Sequence, residues 1–102
     1  MFAVIYRWRV IPGLAAQFEA AWAAGTAAIS REFGGLGSRL HKAEEGIYIA
    51  YAQWPDKAAW EKAMESRMRH SDDEARRAYR AAILEFETLA MGEVVSDLLD
   101  PP

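Results

Sequence analysis

The strongest constraint on this chain lies in residues 37–55, GSRLHKAEEGIYIAYAQWP, where two strand-like runs flank Glu44-Glu45-Gly46 and the second halts at Pro55. Glycine supplies the backbone freedom a tight turn needs, and proline has no N–H with which to extend a ladder. The segment therefore predicts a β-hairpin, with strands over 36–43 and 47–54, and with it an antiparallel sheet. Asp56 follows as a good N-cap, so the second strand runs straight into a helix. Two-residue alternation sets Ile47, Ile49, Tyr51 and Gln53 on one face of that strand and Tyr48, Ala50, Ala52 and Trp54 on the other.

The flanking segments complete the pattern. Residues 2–11 are rich in β-branched and aromatic side chains and stop at the turn pair Pro12-Gly13. Phe2, Val4, Tyr6, Trp8 and Val10 share one face; Ala3, Ile5, Arg7, Arg9 and Ile11 share the other. Apolar groups on both faces predict a strand covered on both sides. Leu14, Phe18, Trp22, Gly25, Ile29 and Phe33 recur at three- and four-residue steps, which predicts a helix from Leu14 to about Phe33, ended by Gly34-Gly35. Gln17, Glu19, Ser30 and Arg31 take its opposite side.

After Asp56, the residues Ala59, Trp60, Ala63 and Met64 form a second helical stripe, with a break near His70. Ser71-Asp-Asp-Glu74 has the spacing of a capping box and opens a third helix packing Ala75, Ala78, Tyr79, Ala82, Ile83 and Phe86. A last strand is expected from about Gly92 to Leu99, before Asp100-Pro101-Pro102. The order β-α-β-β-α(α)-β predicts the α+β class: a ferredoxin-like fold with helices on one face of a four-stranded antiparallel sheet. At 102 residues the chain is expected to form one domain over residues 1–102.

Composition narrows the function. Hydrophobic residues make up 52% and charged residues 26%, the balance of a soluble globular protein. No apolar run approaches a bilayer-spanning length, and the first residues lack the basic flank of a signal peptide. With no cysteine there is neither a disulfide framework nor thiolate chemistry, and a cytoplasmic location is the simplest expectation. The net charge is −3, and no dense basic stripe exists, so neither nucleic acid nor membrane is expected as a partner. Two histidines and no cysteine argue against a metal site.

Helices cover one sheet face only, while the first and third strands look apolar on both. A bare aromatic face is an aggregation hazard, and two-fold pairing of sheets removes it. A homodimer is therefore expected, its eight strands forming a barrel-like body about large enough for side chains or one small ligand.

Several residues carry possible chemistry. Arginine in a strand covered on both faces is costly unless paired. Arg7 and Arg9 thus either bind an anionic ligand or pair with acids such as Glu93 or Asp97 at the sheet edge. Arg39 and His41 lie on one side of the second strand, where His41 reads either as a general base or as an exposed edge residue. Tyr6, Trp8, Tyr48, Tyr51 and Trp54 are either core or the lining of a cavity for a flat aromatic ligand. Trp22 and Trp60 read as core. His70, between Arg69 and Ser71 in a helix break and ten residues after Trp60, reads as a solvated loop residue ahead of the alternative, an iron ligand. Gly34-Gly35-Leu-Gly37 follows a helix rather than a strand, so it is no dinucleotide-binding loop.

Taken together, the first strand ending in Pro12-Gly13, Phe18 four residues before Trp22, the hairpin ending Tyr51-Ala-Gln-Trp54 and the following Pro55-Asp-Lys-Ala-Ala-Trp60 resemble the antibiotic biosynthesis monooxygenase superfamily. The resemblance covers nearly the whole chain and implies a dimeric α/β barrel. It also implies a cofactor-independent monooxygenase-like protein acting on a small aromatic or quinol-like compound, with no metal or flavin. In that reading Arg7 anchors the substrate, His41 assists proton transfer, and Tyr6, Trp8 and Tyr51 line the pocket. The alternative is a non-catalytic homodimer that binds a small ligand or stabilises a partner. The chain departs from the family in having no asparagine: the family's first-strand asparagine falls near Tyr6, and its frequent helix histidine near Ala63.

Overall fold

The computed structural model describes residues 1–100. The elements run β1 (Phe2–Val10), α1 (Ala15–Phe33), β2 (Ser38–Glu44), β3 (Ile47–Trp54), α2 (Lys57–Glu65), α3 (Asp73–Ala82) and β4 (Ile83–Glu93). The strands form one antiparallel sheet in the order β2-β3-β1-β4. This is the ferredoxin-like α+β arrangement.

Local chemistry sets most boundaries. Gly34 closes α1 in the left-handed conformation, its N–H returning to Ser30 O. Asp56 caps α2 through the Ala59 N–H at 2.8 Å. The predicted capping box at Ser71 does not form. Asp72 caps α3 instead, through the Ala75 N–H at 3.0 Å. Ser71 turns to α1, where its N–H and hydroxyl both donate to Glu32.

The last strand corrects the sequence reading. It begins at Ile83, directly after α3, and residues 94–100 lie outside any regular element. The three-residue step from Ile83 to Phe86 fits a helix, but it also fits a strand with one bulged residue. Two register shifts against β1 leave Leu84 and Leu89 unpaired. The glutamates settle the register. Glu85 and Glu87 stand opposite Arg9 and Arg7 and bond to them, at 3.3 and 3.4 Å. The arginines thus pair with acids as one reading held, but with these two rather than Glu93 or Asp97.

The core lies between the sheet and the helices. Phe2, Val4, Tyr6, Trp8 and Val10 of β1 and Tyr48, Ala50, Ala52 and Trp54 of β3 are buried there against Phe18, Ala63 and Ala82. On the opposite face no helix of the described residues covers the sheet, and Ala3, Ile5, Arg7, Ile49 and Tyr51 are only half-buried within the single chain. β1 is therefore covered on one side, not two, by its own chain. No helix of the described residues is long and apolar enough to cross a membrane.

Candidate functional site

A cavity of about 550 Å³ opens between the helix-facing side of the sheet and the three helices. That is within the size range of small-molecule sites. β1 contributes Tyr6 and Trp8, β3 contributes Trp54, and α1 contributes Trp22, Gly25 and Ser30. α3 adds Arg76, Tyr79 and Arg80, and the turn between α2 and α3 adds Arg67, Met68 and His70. Three tryptophans and two tyrosines make a wall suited to a flat ring system.

Internal hydrogen bonds fix this wall. Trp8 Nε1 donates to the Tyr79 hydroxyl at 2.6 Å, and Trp60 Nε1 donates to the Tyr6 hydroxyl at 3.0 Å. Burial raises the Tyr6 pKa, partly offset by the Trp60 N–H, and pushes Tyr79 up to about 12. Both phenols therefore stay protonated at neutral pH. Trp54 differs: it is buried, and its Nε1 has no hydrogen-bond partner among the described residues. An orphaned buried donor is rare and costly.

His70 overturns its sequence reading. It is only 6% exposed and lines the cavity rather than solvent. Its Nδ1 accepts the Asp72 N–H at 3.2 Å, so the neutral ring carries its proton on Nε2. Burial lowers its pKa, opposed chiefly by Glu32. The ring packs against α1 where Gly25 leaves room: a Cβ there would lie 3.3 Å from His70 Nε2.

The residues singled out from the sequence separate onto the two faces of the sheet. Tyr6 and Trp8 line the cavity, joined by Trp54, while Tyr48 is core and bonds Glu19. Arg7, His41 and Tyr51 stand on the open face. There β3 sets Ile49 between His41 and Arg7, and Tyr51 between Arg39 and Ile5. His41 is exposed and contacts Ile49 O at 3.3 Å. The structure thus brings neither Arg7, His41 nor Tyr51 to the cavity. Trp60 and Trp22 both pack against the core as expected, Trp60 on Phe2, and Trp22, with Ser30, also lines the cavity. One signal pointed to His70: a glycine inside the apolar stripe of a helix often marks a close approach by another group. Among the described residues no three His, Asp or Glu side chains converge into a metal site.

The sequence profile of the antibiotic biosynthesis monooxygenase family matches residues 1–83, ending at the first residue of β4. A search of curated proteins finds no match. Among solved structures, SnoaB, a cofactor-independent oxygenase from Streptomyces nogalater, is similar with a TM-score of 0.72 and 21% identity, over 97% of each chain. Rv0793 from Mycobacterium tuberculosis aligns with a TM-score of 0.68 and 14% identity, over 96% of this chain and 98% of that one. PA3566 from Pseudomonas aeruginosa aligns with a TM-score of 0.66 and 21% identity, over 93% and 94%. At these identities the likeness is one of fold.

Proposed function

Because the chain belongs to the antibiotic biosynthesis monooxygenase family, we propose that it oxygenates a small aromatic or quinol-like compound without metal or flavin. The observation that carries this reading is the cavity wall of Trp8, Trp22, Trp54, Tyr6 and Tyr79, with the neutral His70 among them. The shared fold of SnoaB, a cofactor-independent oxygenase, supports the same class.

The substrate itself supplies the electrons in this reaction. A ring CH₂ made acidic by its conjugated phenol loses a proton to water, and the resulting anion reacts with dioxygen. The carbon becomes a carbonyl holding one oxygen atom, and the second oxygen leaves as water with the two hydrogens. His70, protonated on Nε2, donates a hydrogen bond to the oxyanion that develops on the ring. Tyr6 and Trp8 hold the ring plane. Arg7, His41 and Tyr51 belong instead to the open sheet face, which a second copy covers in a homodimer.

Oxygen uptake with a panel of polycyclic phenols that carry such a ring CH₂, with quinols beside them, tests the reaction. Consumption should match product, with one labelled atom of ¹⁸O₂ retained per product molecule, and His70→Phe should lower turnover about 10²-fold or more. Uptake no faster than in buffer across the panel overturns it. The chain's lack of asparagine favours the second reading, a non-catalytic binding dimer, which predicts panel binding without uptake. A monodisperse monomer in light scattering at micromolar concentration overturns the dimer.

A further inference from the structure

The turn between α2 and α3 carries a feature that ring oxygenation leaves unused. Arg67, Arg69, Arg76 and Arg80 by themselves line a second concavity of about 330 Å³. Arg67, Arg76 and Arg80 also line the aromatic cavity, so the two spaces share a wall of guanidinium groups. Four like charges on so small a surface repel one another unless an anion lies among them. Among the described residues the only acid bonded to any of the four is Asp73, which accepts from Arg76. Among the described residues Arg67, Arg69 and Arg80 enter no ion pair. Arg76 Nε is buried with no hydrogen-bond partner among the described residues.

The backbone is bent to gather this cluster. Arg67 and Met68 are the two non-glycine residues with positive φ among the described residues, at 55° and 49°. Non-glycine side chains adopt that region at an energetic cost, and such strain gathers at ligand clamps. Among the hydrogen bonds that hold the turn are Arg67 N–H to Met64 O and Met68 N–H to Ala63 O, each at 2.9 Å. The turn sets Arg67 and Arg69 beside Arg76 and Arg80, which are one helical turn apart on α3.

From this arrangement we infer that the cavity mouth is an oxyanion site and that the ligand is an aromatic acid. Its planar body lies against Trp8, Trp22 and Trp54, and a carboxylate or phosphate at one end meets the arginines. The guanidinium fork matches either group bidentately. A chain of net charge −3 repels extended polyanions, so a small acid fits where a nucleic acid does not. The inference rests on the reading of the cavity as an aromatic-ligand site.

Calorimetric titration with 2-naphthol, 2-naphthoate and 2-naphthyl phosphate at neutral pH and low salt separates the two ideas. Either anion should bind about tenfold or more tightly than naphthol. The advantage should shrink with added salt and vanish in Arg67→Gln/Arg80→Gln, and it should persist in the charge-matched Lys57→Gln/Arg77→Gln. The tighter of the two anions identifies the acid group. Naphthol binding as tightly as both anions, or an advantage that survives Arg67→Gln/Arg80→Gln, overturns the oxyanion site and leaves the aromatic cavity standing. Binding by none of the three overturns both.

Discussion

Trp8 Nε1 and the Tyr79 hydroxyl meet at 2.6 Å, tying the central strand to α3 across the floor of the cavity. The two rings also pack edge-on, with centroids 6.4 Å apart. Tyr79→Phe keeps the packing and deletes only the acceptor, which leaves the buried indole N–H unpaired. The expected cost is about 1–3 kcal/mol in denaturant-induced unfolding. An unchanged midpoint and slope would show that the bond contributes nothing net.

Gly25 and His70 should be energetically coupled. Alanine in place of glycine inside a helix ordinarily stabilises by about 1 kcal/mol. Here the added Cβ lies 3.3 Å from His70 Nε2, tighter than ordinary contact. Gly25→Ala should therefore bring no gain in the parent protein and regain about 1 kcal/mol in a His70→Ala background. A double-mutant cycle by urea unfolding reads this directly, and strict additivity would refute it.

Burial of His70 should shape acid stability. Its folded pKa lies below the ordinary 6.5, so as pH falls the unfolded chain takes up the proton first. The stabilisation is whole above about 6.5 and drains away as pH drops from there towards the folded value. Glu32 and Asp72 oppose the shift, while Arg76 and Arg31 add to it. Stability measured from pH 7.5 down to 5 should decline in the parent and flatten in His70→Gln. Parallel curves would place the titration elsewhere.

Much of the fold could be read from residue order because its signals are local. Gly46 and Pro55 bracket β3, Gly34 ends α1 and Asp56 starts α2, each through its own backbone chemistry. The β4 boundary was not local. Ile83 and Phe86 fit two periodicities, and the choice fell to Glu85 and Glu87, whose partners Arg9 and Arg7 are some 80 residues away. The site was legible in type but not in membership. Aromatic strand residues pointed to a ring-binding wall, yet alternation alone cannot say which face the helices take, so Tyr51 and Tyr6 looked equivalent. His70 was hidden for a related reason. Its flanks, Arg69 and Ser71, are exposed and polar, and the contacts beside the inward ring, Ser71 on Glu32 and the Asp72 N–H on Nδ1, are tertiary or turn-specific.

The junction of α3 and β4 has no linker: Ala82 ends the helix, Ile83 begins the strand, and Ala82 O is pinned by the Ile11 N–H at 2.8 Å. Helix and strand therefore behave as one crank with its bearing at β1. A small tilt of the arm that bears Arg76, Tyr79 and Arg80 has no slack to dissipate in and must reappear as a twist of the sheet's outer edge.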